Sequence, residues 1–241
     1  MMADTITTRT GSMDIKAADG SGSFRAHTVI PSNTPTGVVV VIQEIFGVND
    51  ALRATCQEIG EMGFIAIAPD LFWRLEPGVD ITDKTEAEWQ KAFDLMNRFD
   101  QDKGVDDLKA TLAAARKVEG GNGKVATVGF CLGGRLAAMM ATRSDADLNI
   151  SYYGVALDNL LPEFGDISHK LLLHIADEDE FFPKEGRDKV VEATKGQSLV
   201  EAHVYPHVGH AFARVNGVHY DRRAATIANG RTAQALVAAL T

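Results

Sequence analysis

Cysteine is scarce in this sequence, which contains only Cys56 and Cys131 among 241 residues. One disulfide at most can form, so the chain is not a disulfide-stapled scaffold, and we expect reduced thiols and a cytoplasmic location. The first residues lack the basic start and apolar stretch of a secretion signal. No apolar run reaches the roughly 20 residues that a transmembrane helix needs, so we expect no membrane attachment.

An excess of positive charge is also lacking, because 24 lysines and arginines face 33 aspartates and glutamates, for a net charge of -9. Nucleic acid is therefore not an expected partner. The length and the hydrophobic content of 45% suit a single domain over residues 1–241 with a substantial core. We expect a monomer or small homo-oligomer that acts on a small molecule.

Apolar strand-like runs alternate with helix-like stretches along the chain. This pattern predicts an α/β fold, with a mostly parallel central sheet and helices on both faces. The predicted strands are residues 38–42, 64–68, 124–128, 149–153, 171–175 and 199–205. The predicted helices are residues 51–62, 85–99, 105–118, 135–142, 183–193 and 226–240. Residues 1–11 are predicted to form a loose or edge element, and residues 75–83 an irregular excursion that leads into a helix beside the pocket.

The most informative motif is residues 128–134, which read VGFCLGG and match the pattern GxCxG. Small residues on both sides of a nucleophile are typical of the nucleophile elbow, a sharp turn from a strand into a helix. Cys131 would then lie at a helix N-terminus, whose positive end favours the thiolate. The alternative is a buried, inert cysteine whose neighbouring glycines only allow a helix to pack closely on a sheet.

An acidic residue and a histidine follow the cysteine in the order that this architecture uses. A strand-like run ends in the acidic turn DEDEFFP at residues 177–183, and the next ends in PHVGHAF at residues 206–212. We predict His210 as the base and Asp179 as the acid. Asp177 is the competing acid, because it lies closer to the end of the strand.

The remaining histidines and the second cysteine have simpler interpretations. His207 and His210 together could suggest a metal pair, but nothing nearby completes a zinc pattern, so we expect no metal and no cofactor. His174 lies within an apolar strand and is predicted to be a hydrogen-bonded core residue. Cys56 lies within a predicted helix and is expected to serve in packing.

Four blocks in order, QEIFGVN at 43–49, APDL at 68–71, GFCLGG at 129–134 and GHAFAR at 209–214, resemble the dienelactone hydrolase family of carboxymethylenebutenolidase-like proteins. The resemblance spans nearly the whole chain. It implies an α/β-hydrolase fold and a triad of Cys131, His210 and Asp179. It also implies an oxyanion hole formed by the backbone N–H groups of Leu132 and Ile45.

The resemblance gives Glu44 a role as well. In the family the matching glutamate lies near the resting thiol and helps to ionise it when substrate arrives, so that the nucleophile is armed only with a ligand in place. From the sequence alone, Glu44 would be a solvated loop residue after a buried strand.

Substrate recognition departs from the family pattern. Arg214 matches a residue that helps to hold a substrate carboxylate. The family's second arginine aligns with Trp89, and a family tyrosine aligns with Phe93. These two differences remove a charge and a hydroxyl from the expected pocket. A less polar lactone or ester is therefore as good a candidate substrate as the acid-bearing dienelactone. Lys91 or Arg74 would be the nearby cations able to compensate.

The sequence therefore predicts a hydrolase that cleaves a lactone or carboxylic ester through a cysteine thioester. Two other classes of protein are alternatives to the hydrolase. The GxCxG elbow also occurs in cysteine amidotransferases and related stress-response proteins. Those proteins tend to carry a short acidic motif beside the histidine, and this sequence lacks that motif. A non-catalytic ligand-binding or thiol redox-sensing protein on the same fold is the other.

Overall fold

A computed structural model describes residues 6–241, and a single eight-stranded sheet runs through them. Its strands are β1 (Thr8–Lys16), β2 (Ser23–Pro31), β3 (Thr36–Ile42), β4 (Ile65–Pro69), β5 (Gly121–Phe130), β6 (Leu148–Tyr152), β7 (Lys170–Ala176) and β8 (Val200–Tyr205). The strands lie in the order β1-β2-β4-β3-β5-β6-β7-β8. The β1/β2 and β2/β4 pairs are antiparallel, and every later pair is parallel.

Six α-helices and one 3-10 helix connect these strands within the described residues. They are α1 (Asp50–Glu61), α2 (Glu86–Arg98), α3 (Gln101–Ala115), α4 (Leu132–Arg143), α5 (Lys184–Thr194) and α6 (Arg222–Leu240), with the 3-10 helix at Leu157–Asp166. Polar side chains cap the N-termini of four of these helices. Asn49, Thr85, Asp100 and Asp221 each accept a hydrogen bond from an N–H of the first turn that would otherwise lack a partner.

Helices cover both faces of the sheet because the central strands are apolar throughout. All seven residues of β3 are buried. Val38, Val40 and Ile42 join the core beneath α2 to α5, whereas Val39 and Val41 join the core beneath α1 and α6. Successive side chains of a strand point to opposite faces, so a continuous apolar run builds two cores at once.

The predicted fold class is confirmed, and each predicted strand and helix is present with shifted ends. The main omission is β2, which the sequence analysis left unassigned. Its polar residues alternate with buried ones because β2 lies near the sheet edge, beside the largely exposed β1. β1 corresponds to the predicted edge element, although residues 1–5 of that prediction lie outside the described residues.

Three helix starts were predicted too late by three or four residues. α3 begins at residue 101 rather than 105 and α6 at 222 rather than 226, because polar first turns hide the apolar periodicity. α4 begins at 132 rather than 135, because its first turn contains two glycines. β5 begins at Gly121 rather than at the predicted residue 124. The 3-10 helix was not predicted. Residues 75–83 contain no helix or strand, as predicted, and lead into α2.

Among the helices of residues 6–241, none combines the length and apolar character needed to span a bilayer.

The core beneath α4 supports the turn that carries Cys131, so truncating it should cost stability. Leu136 of α4 is 0% exposed, and Leu136→Ala should lower the free energy of unfolding by about 2–5 kcal/mol through lost burial and a residual cavity. Leu199→Ala makes the same chemical change at a site that is 37% exposed, and we expect it to cost about 0.5 kcal/mol or less. Urea denaturation of both variants measures the difference, and equal losses would contradict this account of the core.

Candidate active site

Cys131 occupies a strained turn between the last residue of β5 and the first residue of α4. Its φ is 55°, a left-handed conformation that non-glycine residues seldom adopt. Its backbone N–H donates to the carbonyl oxygen of Tyr152 on the neighbouring strand at 3.1 Å. Surrounding structure must hold such a conformation in place, and backbone strain of this kind is concentrated at functional sites.

The glycines around Cys131 are required by backbone contact rather than by flexibility. A Cβ at Gly129 would overlap the carbonyl group of Gly133, and a Cβ at Gly133 would overlap the carbonyl of Ile42. A Cβ at Gly134 would come within 2.6 Å of the Tyr152 carbonyl oxygen. The pattern GxCxGG therefore allows α4 to start directly against β3, β5 and β6.

Two backbone N–H groups near the turn are buried without acceptors. Leu132 is 1% exposed and Ile45 is 3% exposed, and among the described residues neither backbone N–H makes a hydrogen bond. Buried N–H groups without partners are rare in folded proteins. An N–H group without an internal acceptor can donate to an oxygen atom of a bound molecule, and the oxyanion hole that the family resemblance implies for these two residues stays a prediction.

His210 and Asp179 form a buried pair beside the cysteine. The imidazole Nδ1 lies 2.9 Å from Asp179 Oδ2 and 3.1 Å from Oδ1, and the two side chains are 4% and 1% exposed. Asp177 makes no hydrogen bond to this ring among the described residues. His210 Nε2 is buried and has no hydrogen-bond partner there, so the nitrogen opposite Asp179 remains available to the cavity.

The charge state of His210 depends on its neighbours. Burial disfavours the imidazolium, but the interactions with Cys131 and Asp179 outweigh it and raise the pKa of His210 to about 10. The imidazole is therefore the natural holder of the proton that the Cys131 thiol gives up when it ionises.

Arg187, which the sequence analysis missed, fixes the loop that carries Asp179. Its guanidinium is buried and donates to the carbonyl oxygens of Asp177, Asp179 and Phe182, with the Asp179 contact at 2.9 Å. An arginine on α5 gives no sequence signal of this role, because its acceptors are backbone atoms brought to it by the fold.

Glu44 and Arg214 are paired with each other. Arg214 Nε donates to Glu44 Oε2 at 2.6 Å, and Arg214 Nη1 donates to Asp83 Oδ2 at 2.6 Å. Burial disfavours the guanidinium charge, but Glu44 and Asp83 outweigh it and raise the pKa of Arg214. Glu44 Oε1 is buried without a partner among the described residues. Glu44 is thus not a solvated loop residue, and Asp83 is a site residue that sequence reasoning missed.

A cavity of about 220 Å³ lies against Cys131, His210 and Arg214. Six residues singled out from the sequence lie on its wall, namely Ile45, Trp89, Phe93, Cys131, His210 and Arg214. Phe181, which was not singled out, adds an aromatic ring whose centroid is 4.9 Å from that of His210 and 6.4 Å from that of Trp89. The remaining wall is apolar, so the cavity offers a reactive end and an aromatic end.

The two cations considered as replacements for the family's second arginine do not line this cavity. Lys91 pairs with Glu76 at 2.5 Å, and Arg74 holds Asp107 with two hydrogen bonds of 2.8 and 2.9 Å. Arg214 is therefore the cation on the cavity wall among the described residues.

The other histidines and Cys56 occupy structural positions. His174 is buried between the hydroxyls of Tyr205 and Thr232, at 2.8 and 3.0 Å, as predicted for a core residue. His207 is exposed and lies 3.4 Å from Glu178. Within residues 6–241, no three histidine, cysteine or acidic side chains gather as a metal site would require. Cys56 is buried in α1, and burial raises the pKa of its thiol to about 12.

A mostly parallel sheet, a strained cysteine turn and a histidine–carboxylate pair on later loops define a protein of the α/β-hydrolase fold. The model of the dienelactone hydrolase family matches residues 24–240, so the chain belongs to that family and is a hydrolase of the dienelactone hydrolase type.

Individual relatives agree with this membership. A protein of Azospirillum brasilense, named as a candidate carboxymethylenebutenolidase, is 50% identical over 92% of this chain and 95% of its own length. The carboxymethylenebutenolidase of Pseudomonas putida is 36% identical over 92% of this chain and 94% of its own. A solved structure from Klebsiella pneumoniae, described as a candidate dienelactone hydrolase, superposes with a TM-score of 0.84 at 22% identity, over 96% of this chain and 99% of that one.

Removing the cysteine should lower the proton affinity of His210. In Cys131→Ala the interaction with Cys131 that raises the His210 pKa is lost, so that pKa should fall below about 10 under the influence of burial. Two-dimensional NMR of the imidazole resonances against pH measures the shift. His174, whose pKa burial lowers to about 3, is the internal control and should stay neutral in both proteins.

The same raised pKa has a consequence for stability. Because the pKa of His210 rises from 6.5 to about 10 on folding, its stabilising proton is fully effective below pH 6.5 and is lost as the pH rises through about 10. In Cys131→Ala the stability lost between pH 6.5 and about 10 should be smaller. Urea denaturation at a series of pH values measures this loss, and the same dependence of the free energy of unfolding on pH in both proteins would contradict the assigned cause.

Proposed function

We propose that this protein hydrolyses a lactone or carboxylic ester through a thioester on Cys131, with His210 as the base and Asp179 as the orienting acid. The observation that carries the proposal is the shared cavity. It exposes Cys131 and His210 on one wall, while the opposite nitrogen of the imidazole is held by the buried Asp179.

The first half of the reaction forms the thioester. His210 keeps or takes the thiol proton on Nε2, and the sulfur of Cys131 attacks the carbonyl carbon, so that the carbonyl electrons move onto oxygen. The tetrahedral intermediate then collapses, the carbon–oxygen bond of the ester breaks, and His210 returns the proton to the leaving alkoxide. With a lactone, the released hydroxyl stays attached to the acyl chain.

The second half restores the enzyme. His210 removes a proton from water, the hydroxide attacks the thioester carbonyl, and the carbon–sulfur bond breaks to give the carboxylic acid and the free thiol. Asp179 stabilises the imidazolium in both halves. These groups supply a nucleophile, a base and charge stabilisation, so the chemistry calls for no cofactor.

The backbone N–H groups of Leu132 and Ile45 form the proposed oxyanion hole. Both are buried and without acceptors among the described residues, which leaves them ready for the negative oxygen of the intermediate. One such donor is worth about 3 kcal/mol in comparable sites. The geometry of the cysteine turn therefore matters to the rate as much as the side chains do.

Glu44 is proposed to assist in taking the thiol proton when substrate arrives. Its support is the family resemblance together with a free, buried Oε1 beside an Oε2 that Arg214 holds. A carboxylate with an open oxygen can accept a proton, whereas one with both oxygens paired cannot do so without losing a contact.

A reducing compartment is part of the same proposal. The reaction consumes no oxidant and needs a free thiol at Cys131, and both cysteines of the chain are free in the structure. We therefore propose that the protein works in the cytoplasm.

Cysteine dependence is tested by exchanging each thiol in turn. Cys131→Ala should lower kcat for ester hydrolysis by at least about 10³-fold, because the nucleophile is lost. Cys56→Ala, the same change at the packing cysteine, should leave the rate within about twofold. Intact-protein mass spectrometry during turnover should find one acyl group on the wild type and none on Cys131→Ala. Unchanged activity in Cys131→Ala would refute the mechanism, and peroxide reactivity of Cys131 without any turnover would favour the redox-sensing alternative.

The identity of the acid is tested by a matched pair on one loop. Asp179→Asn should lower kcat by about 10³-fold or more, because the amide no longer stabilises the imidazolium. Asp177→Asn should change kcat by less than about threefold, because among the described residues His210 Nδ1 is hydrogen-bonded to Asp179 and not to Asp177. The pH–rate profiles of both variants separate a charge effect from a loss of fold, and the reverse order of effects would give the acid role to Asp177.

A further inference from the structure

We propose that the cavity selects uncharged esters or lactones that carry one aromatic or planar unsaturated ring, and that Asp83 is the residue that excludes carboxylate-bearing ones by occupying Arg214. This inference rests on the proposed function and specifies its substrate class. It differs from a pocket in which Arg214 reads the acid group of the substrate.

The hydrogen bonds of Arg214 carry the first step. A guanidinium grips a carboxylate with two parallel N–H donors, along either its Nε/Nη2 edge or its Nη1/Nη2 edge. Glu44 takes Nε and Asp83 takes Nη1, each at 2.6 Å, so each edge has already lost one of its two donors. A substrate that displaced Glu44 would still find Asp83 on the guanidinium.

The balance of charge carries the second step. Two carboxylates share one guanidinium, and all three side chains are less than 10% exposed. With both acids ionised, the cluster has one more negative charge than positive, and the described residues place no second lysine or arginine on the cavity wall. The positive charge of His210 on the same wall is balanced by its own partner, Asp179. A third carboxylate would lose its hydration and meet net repulsion.

Asp83 also shapes the apolar end of the cavity. Its backbone carbonyl accepts the indole N–H of Trp89 at 2.9 Å, while its carboxylate holds Arg214. Trp89 in turn stacks on Phe93 with ring centroids 5.4 Å apart and meets Phe46 edge-on at 5.0 Å. One residue thus fixes both the cation and the aromatic wall.

The size and the aromatic lining of the cavity indicate a substrate that carries one planar ring. A volume of about 220 Å³ exceeds the roughly 150 Å³ of an engineered apolar cavity that binds benzene. One ring with a short ester arm therefore fits within this volume. Trp89, Phe93 and Phe181 offer the faces and edges on which a planar ring packs.

The test compares 4-carbamoylphenyl acetate with 4-carboxyphenyl acetate, which match in shape and differ in charge. The kcat/KM of each, divided by its rate with hydroxide, gives a selectivity ratio free of leaving-group effects. We expect the wild type to favour the carbamoyl ester by about 10-fold or more, and Asp83→Asn to lower that ratio by about 10-fold. Asp80→Asn, on the same segment but half exposed and paired with Arg53, should leave the ratio within about twofold.

Binding to Cys131→Ala separates this proposal from the catalytic one. Calorimetry with 4-acetamidobenzamide and 4-acetamidobenzoate measures charge selection without turnover, and the benzamide should bind more tightly. If no ester is hydrolysed while the benzamide is preferred, the proposed function fails and the selectivity stands. A wild-type preference for the carboxylate in either assay would overturn the selectivity, as would an unchanged ratio in folded Asp83→Asn. Should Asp83→Asn not fold, the wild-type preferences alone decide.

Discussion

The contact between the start of α4 and the ends of three strands governs the rest of the site. Gly129, Gly133 and Gly134 let backbones meet where any side chain would collide, and this close approach holds Cys131 at a positive φ. The turn is fixed from several sides, and Cys131 lies on the cavity wall. The N–H groups of Leu132 and Ile45 have no acceptor among the described residues, since Leu132 is the first residue of α4 and Ile45 lies outside the strand pairs.

Around this turn, buried charges are arranged in sets that support one another. His210 is held by Asp179, whose loop is in turn fixed by the donors of Arg187. Arg214 is shared between Glu44 and Asp83. Buried ions need such partners because their lost hydration is costly. The two sets meet at one cavity, where the first supplies proton transfer and the second controls which substrate charge is tolerated.

Sequence patterns predicted most of the sheet, because β3 to β7 lie between other strands and their apolar runs stand out. β8 forms an edge of the sheet and was predicted from its own run at residues 199–205. β2 escaped prediction since a strand near the sheet edge alternates between polar and apolar residues, and its antiparallel partner is largely exposed. Cys131, Asp179 and His210 were accessible as candidates because motifs mark their turns. Asp83, Arg187 and Phe181 carry no motif. They matter through contacts with backbone atoms, a guanidinium group or aromatic rings that the folded chain brings to them.

The sequence by itself determined the alternating fold and the glycine-flanked cysteine turn, because these depend on periodicity and local backbone sterics. It also carries the resemblance to the dienelactone hydrolase family, because the four motif blocks are stretches of sequence. Tertiary structure alone decided that Asp179 rather than Asp177 touches the imidazole, since both lie on one short loop and only the direction of each side chain separates them. It also decided that Arg214 is held by two acids. Glu44, Asp83 and Arg214 are distant in sequence, and their pairing exists only once the sheet and its loops have brought them together.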